Sequence, residues 1–183
     1  MNVFFTGDTH YGHKRIIEFS ERPFADLVEM RETMIARWNA VVRPGDQVYH
    51  LGDFAFLDED DASSIAWRLM GQKFLVFGNH DKALRKSKAF LGHFAWAKDL
   101  ADIKVGDQRI VLCHYAMRVF NQSHRGAWQL HGHSHGSLKD DPSTLQTDVG
   151  VDCWDYRPVS FDEIRQVMSR KQWRPVDHHG EDE

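Results

Sequence analysis

The sequence predicts an α/β fold in which two packed β-sheets are flanked by helices, in layers. Three observations predict it. Strand-type apolar runs alternate with helical patterns in the first half of the chain, and strand signals dominate from Phe94 onward. In addition, short apolar runs repeatedly end in a turn that carries a metal-ligand type: Val3 to His10, Gln47 to Asp53, Lys73 to Asp81, Arg109 to His114 and Gln129 to His135. Ligand types so widely separated meet only where a fold collects strand ends, as the carboxyl edge of an open sheet does.

Each element has its own local warrant. Val3 to Thr6 is β-branched and aromatic and stops at Gly7, which reads as the opening strand. Leu27, Met30, Met34, Ile35 and Trp38 recur at helical spacing and predict an amphipathic helix over Ala25 to Ala40. Pro44-Gly45 turns the chain into a strand ending at His50-Leu51. Asp58 to Asp61 then open a helix containing Ile65, Leu69 and Met70, where acidic residues suit the positive end of the helix dipole better than a metal chelate. Phe74 to Phe77 is a continuous apolar run, as in a strand buried on both faces.

Lys82 to Leu91 is expected to be helical with its basic residues facing solvent. Ile103 to Val105 and Arg109 to Leu112, joined by Gly106-Asp107, predict a hairpin. Ala127 to Leu130 and Thr147 to Val151 are further strand candidates. Ser160 with Glu163 forms a capping box ahead of Ile164, Val167 and Met168, so a helix closes the fold.

At 183 residues and 21.3 kDa the chain has the size of one domain, assigned to residues 1–175, with an acidic, disordered tail over 176–183. No apolar stretch approaches a membrane span and no leader pattern is visible, which predicts a cytoplasmic protein without a membrane partner. The two cysteines, Cys113 and Cys153, lack zinc-type spacing and read as reduced, buried small hydrophobes. A net charge of -4 argues against a broad basic face for non-specific nucleic-acid binding. A nucleotide or a nucleic-acid end remains an admissible substrate, because bound metals add positive charge that the count omits.

The ligand types are Asp8, His10, Asp53, Asn79, His114, His133 and His135. Two carboxylates, four imidazoles and one amide, without thiolate, suit manganese, iron or zinc better than all-oxygen magnesium or calcium sites. The set is too large for one four-coordinate ion but fits two ions sharing a carboxylate. Paired ions of this kind serve phosphate-ester hydrolysis by activating a water and clamping phosphoryl oxygens. Two divalent ions against Asp8 and Asp53 leave the centre positive, and phosphate is the matching anion.

GDTH, then LGD at Leu51 to Asp53, GNHD at Gly78 to Asp81, a lone His114 and GHSH at Gly132 to His135 together resemble the calcineurin-like metallophosphoesterases. The resemblance runs from the N-terminus to His135, or to Val151 with the closing strand. Any one piece is weak, whereas five in order after strand-like runs are specific. The resemblance implies a small, capless α/β/β/α sandwich. It also implies two divalent ions, manganese first and iron or zinc as alternatives. The first ion would be held by Asp8, His10, Asp53 and His135, and the second by Asp53, Asn79, His114 and His133. It implies a phosphoesterase whose attacking hydroxide bridges the metals, with a slight lean to phosphodiesters over monoesters because the short chain leaves little room for a cap. His80 would face the substrate as transition-state stabiliser or acid, and Asp81 would hold its tautomer. The alternative is a non-catalytic metal-binding scaffold of the same fold. An amide or ester hydrolase is more remote, since no HExxH pattern occurs.

Further residues are weighed singly. Arg118, Asn121 and Arg125, in the loop after His114, are candidate substrate contacts, because a guanidinium can grip phosphate through two hydrogen bonds. Arg22 is a weaker candidate of that kind. His13 extends the first motif and could line the site. His50 is expected to pack beneath the LGD turn, and His131 to point into the core. Trp96, Trp128 and Trp154 read as core aromatics.

Overall fold

The computed structural model describes residues 1–176. Most of the expected acidic tail, 177–183, lies outside the described residues. Strand β1 (Val3–Thr6) is followed by helices α1 (Lys14–Phe19) and α2 (Leu27–Val41), strand β2 (Gln47–His50), helix α3 (Glu59–Arg68) and strand β3 (Gln72–Val76). A short helix α4 (Lys88–Leu91) leads to strands β4 (Phe94–Lys98), β5 (Leu100–Val105), β6 (Gln108–Cys113), β7 (Trp128–His131) and β8 (Gln146–Asp148). Strand β9 (Val159–Ser160) and helix α5 (Phe161–Met168) close the chain.

The strands form two mixed sheets, ordered β4-β3-β2-β1-β9 and β5-β6-β7-β8. These sheets pack together and are flanked by helices, the layered α/β arrangement the sequence predicts. Strands β1, β2, β3 and β4 run parallel, so their carboxyl ends share one edge. In the second sheet β6, β7 and β8 are likewise parallel. A bridge between Gly7 and Gly150 joins the ends of the two sheets.

Period-two alternation divides the core. Phe4, Val48 and Leu75 face the helices with Met30, Met34, Trp38 and Ile65. Their neighbours Phe5, Tyr49 and Phe74 pack against Ile110, Leu112 and Leu130 of the other sheet. Trp128 is buried in that second core, with Trp96 and Trp154 packed at its margin. Helix α2 begins at Asp26, whose carboxylate accepts from the N–H groups of Val28 and Glu29. Asp58 caps α3 in the same manner, in keeping with a dipole role for the acidic cluster. The Ser160–Glu163 capping box is present at α5. The predicted hairpin is also present, extended so that Leu100 pairs with Cys113.

Four expectations are corrected. Lys82 to Leu91 is not one helix: Leu84–Lys86 forms a 3-10 turn, and extended Ser87 interrupts it and caps α4 through its hydroxyl. Strand β8 stops at Asp148, because Val151 begins another 3-10 turn. Leu69 and Met70 both lie beyond α3, Leu69 buried and Met70 exposed. Both cysteines are free, but neither is fully buried: Cys113 is half-buried and Cys153 is exposed. Helix α1 and the two-residue β9 give no sequence signal of their own, being too short for periodicity to register.

Candidate metal centre

Each ligand candidate sits just past a strand end. Asp8 and His10 follow β1, Asp53 follows β2, Asn79 follows β3, His114 follows β6, and His133 and His135 follow β7. The loops after β1 and β2 are laced together, with the N–H groups of Asp8, His10 and Tyr11 donating to the carbonyls of Gly52, Asp53 and Phe54. Glycines permit the loops to touch. A Cβ on Gly78 would stand 2.2 Å from Asp53 Oδ1, and one on Gly132 would stand 2.4 Å from Asp8 Oδ2.

Five of the seven candidates hold a left-handed backbone: Asp8 (φ 54°), His10 (50°), Asp53 (55°), His133 (68°) and His135 (47°). Side-chain-bearing residues adopt that region at a cost of about 1–2 kcal/mol each. Such concentration of backbone strain marks a site that the surrounding structure is built to hold.

The side chains converge as two groups, Asp8–His10–His135 and Asp53–His114–His133, each offering ligand atoms within 4.8 Å of one another. Asp53 stands between them: its Oδ2 is 3.5 Å from His10 Nε2 and 3.5 Å from His114 Nε2. The Asn79 carbonyl oxygen lies 3.0 Å from His114 Nε2. Asp8 Oδ1 and both His10 ring nitrogens are buried without a hydrogen-bond partner among the described residues. Unsatisfied buried polar atoms are costly, and a cation would satisfy these, so the donor set fits divalent metal.

The electrostatics of the protein alone agree. Burial raises the Asp8 carboxyl to about 7 against the pull of His135 and His114. Burial drives His10 down to about 2. Asp53 is held at about 2: burial opposes this, but the His114 hydrogen bond and charge and the His80 N–H outweigh it. Burial thus disfavours the charged forms of Asp8 and His10, while at His114 and His135 burial is outweighed by neighbouring carboxylates, which raise both.

His80 faces the open side. Its side chain is 43% exposed, with Nε2 4.0 Å from Asp53 Oδ2, and Phe56 packs against its ring at 4.7 Å. His10, His13, Phe19, Phe56, His80, His133 and His135 line a cleft of about 570 Å³. His13 also lines this cleft, its ring stacked on Phe56 at 4.0 Å.

Asp81 does not orient His80. Its carboxylate is fully buried and accepts the N–H groups of Gly78, Asp53 and Phe54, at 2.7, 2.9 and 2.9 Å. It ties the β2 and β3 loops together, and among the described residues makes no hydrogen bond to the His80 ring.

Arg118, Asn121 and Arg125 are not brought to the cleft. The Gln129 side chain accepts from Met117 N–H and donates to the Tyr115 carbonyl, drawing the chain away after His114. Arg118 lines a separate hollow with Asp141 and Thr144, Asn121 donates to Asp102, and Arg125 is exposed in a 3-10 turn. Only Tyr115 of that loop stays, its hydroxyl 3.4 Å from Asn79 Oδ1. Arg22 is corrected as well: its buried guanidinium pairs with Asp152 and caps the carbonyls of Asp8 and Thr9. His50 is buried as expected, bonded to the Thr9 hydroxyl, and His131 is buried beside the site.

Residues 1–150 match the family described as the calcineurin-like phosphoesterase superfamily domain. The chain belongs to that superfamily. It is 30% identical over 175 residues to an uncharacterized protein of Methanocaldococcus jannaschii, covering 92% of each chain. It is also 30% identical over 198 residues to the gene 66 protein of Mycobacterium phage L5, covering 92% of this chain and 94% of the phage protein. Among solved structures it is similar to a protein of unknown function from Aquifex aeolicus, with a TM-score of 0.69 and 25% identity over 91% of this chain and 98% of that one. As a calcineurin-like phosphoesterase, the protein places the two candidate ligand groups where five strand-end motifs meet. No helix among the described residues is long and apolar enough to cross a membrane.

Proposed function

We propose that the protein is a hydrolase of phosphate esters that works with two divalent cations, manganese in the first instance, with iron or zinc suited to the same donors. The observation that carries this reading is the placement of Asp53 Oδ2, 3.5 Å from a histidine of each ligand group. Asp8, His10, Asp53 and His135 would hold one ion, and Asp53, Asn79, His114 and His133 the other. Such a pair supplies a water acidified to a pKa of about 7 and positive charge against phosphoryl oxygens.

The protein's own residues do the rest. Asp8 and Asp53 supply only two negative charges, so the loaded centre attracts an anion. His80 reaches into the cleft on the substrate side and donates a proton to the leaving oxygen. Asp81 acts at one remove, by fixing the Asp53 loop from which the shared carboxylate projects. Phe56 and Phe19 give the cleft an apolar wall beside the charged centre.

The substrate is a phosphate ester, with diesters favoured because the cleft is open; a nucleotide or nucleic-acid end fits that class. Residues 1–175 act as one domain, and the site of action is the cytoplasm. The test is hydrolysis of bis-para-nitrophenyl phosphate and para-nitrophenyl phosphate by protein loaded with manganese. The reading expects turnover of both with the diester faster. Absence of turnover on either ester by folded, loaded protein rejects it, and a strong monoester preference rejects the diester lean.

A further inference from the structure

Behind the first ligand group lies a buried chain of charge-assisted hydrogen bonds that joins residues far apart in sequence. His135 Nδ1 lies 2.7 Å from Asp152 Oδ2. Arg22 closes on the same carboxylate in fork fashion, Nε to Oδ1 and Nη2 to Oδ2, each at 2.8 Å. The Arg22 side chain is 0% exposed and that of Asp152 is 7% exposed. The remaining guanidinium donors reach the Asp8 carbonyl at 2.7 Å and the Thr9 carbonyl at 3.0 Å. One ion pair therefore grips the His135 ring and the backbone that carries Asp8 and His10.

We propose that Asp152, held by Arg22, is a positioning residue for the cation bound by Asp8, His10 and His135. Its carboxylate accepts the His135 Nδ1 proton and leaves Nε2 as the lone-pair nitrogen presented to the ion. The inference rests on the dinuclear reading above and adds an inequality between the two sites.

The argument is one of tautomer and rotation. A neutral imidazole carries its proton on one nitrogen, and the hydrogen bond made by that nitrogen decides which face is left to bind metal. Ligand histidines commonly donate such a bond to a carboxylate or a carbonyl, and losing it typically costs about 10–100-fold in metal affinity. In the other group, His114 receives a neutral counterpart, with Nδ1 2.7 Å from the Leu51 carbonyl. Each group also holds one histidine with no such bond among the described residues: His10 in the first, and His133 in the second, whose ring meets the edges of the Tyr115 and His114 rings. The buttress is thus strongest where His135 stands, and the ion there binds more tightly than its neighbour.

Arg22 has a second effect. Asp8 and His10 hold strained left-handed backbone on either side of Thr9, and the guanidinium fixes the Asp8 and Thr9 carbonyls in place. Its fork also occupies both Asp152 oxygens, so that carboxylate is held for the His135 ring rather than free to ligate the ion itself.

The test is site-resolved metal binding by Asp152→Asn. Titration with manganese by calorimetry, followed by electron paramagnetic resonance, counts the ions and separates a coupled pair from an isolated one. The expected result is a wild type that binds two ions and a folded variant whose tighter site is weakened by about 10–100-fold, leaving the spectrum of isolated manganese. Two ions bound with wild-type affinities overturn the proposal. Equal loss at both sites also overturns it, because it marks Asp152 as merely structural. A wild type that itself fails to bind a pair sinks the dinuclear reading and this inference with it. If the variant does not fold, nitrogen-15 spectra of the metal-free wild type at alkaline pH decide: a His135 ring protonated on Nδ1 supports the proposal, and one protonated on Nε2 overturns it.

Discussion

Gly78→Ala offers a steric test of how the centre is assembled. Gly78 follows β3, and a Cβ there would stand 2.2 Å from Asp53 Oδ1 and 2.5 Å from the Asp53 backbone nitrogen. Real contacts of this kind stay above 3.0 Å, so the overlap is about 0.8 Å on the carboxylate. Rotating Asp53 away relieves only the first clash, since the second is with backbone. The joint is also pinned: Gly78 N–H donates to Asp81, Asp53 N–H donates to the same carboxylate, and His80 N–H donates to Asp53. Overpacking of this kind costs about 1–3 kcal/mol, which for a chain of this size lowers Tm by roughly 3–10 °C. Because Asp53 Oδ2 stands 3.5 Å from a histidine of each ligand group, the proposal expects manganese binding to weaken at both sites together. Calorimetric unfolding and metal titration measure the two effects. Gly45→Ala is the control, with nothing within 4 Å of the added methyl, and should leave metal binding unchanged. A Gly78→Ala protein with wild-type Tm and wild-type manganese affinity would refute the close-approach argument.

Three other outcomes are expected. Metal affinity should rise with pH through about 7, because the Asp8 carboxyl, raised to about 7 by burial, must shed its proton to ligate; titration calorimetry at several pH values reads this, and a pH-independent affinity between pH 6 and 8 contradicts it. His80→Ala should cut kcat by about 10²–10⁴-fold while both ions stay bound; full turnover in the loaded variant removes His80 from the chemistry. Glu163 is held at about 2 chiefly by Arg157. A depressed carboxylate stabilises the fold above its ordinary 4.5 and loses that contribution as the pH falls toward 2. The side chain is 35% exposed, so solvent screening limits the effect to about 1 kcal/mol or less. Glu163→Gln should therefore lower Tm at neutral pH and converge on wild type in acid, and a deficit that persists unchanged in acid would exclude the ion pair as its source.

The parts of the centre written as a ligand after a strand were legible in the chain. Gly-Asp after β1 and β2, Gly-Asn-His-Asp after β3 and Gly-His-Ser-His after β7 announce themselves because an apolar run must stop where its loop begins. Partners that meet only in three dimensions were not legible. Arg22 and Asp152 are 130 positions apart and neither belongs to a motif. Asp81 sits beside His80 in sequence, yet its carboxylate turns inward to three N–H groups, which adjacency alone cannot reveal. The loop after His114 carries suitable arginines, but Gln129 directs its path away from the cleft. Left-handed backbone at Asp8, His10 and His135 is not fixed by residue identity alone, since the surrounding structure imposes it.

Anomalous scattering from crystals grown with manganese tests the central claim most directly. Two peaks are expected, one among Asp8, His10 and His135 and one among Asp53, His114 and His133, with the Asp53 carboxylate between them. A single peak, or none at these side chains in crystals grown with saturating manganese, would contradict the account.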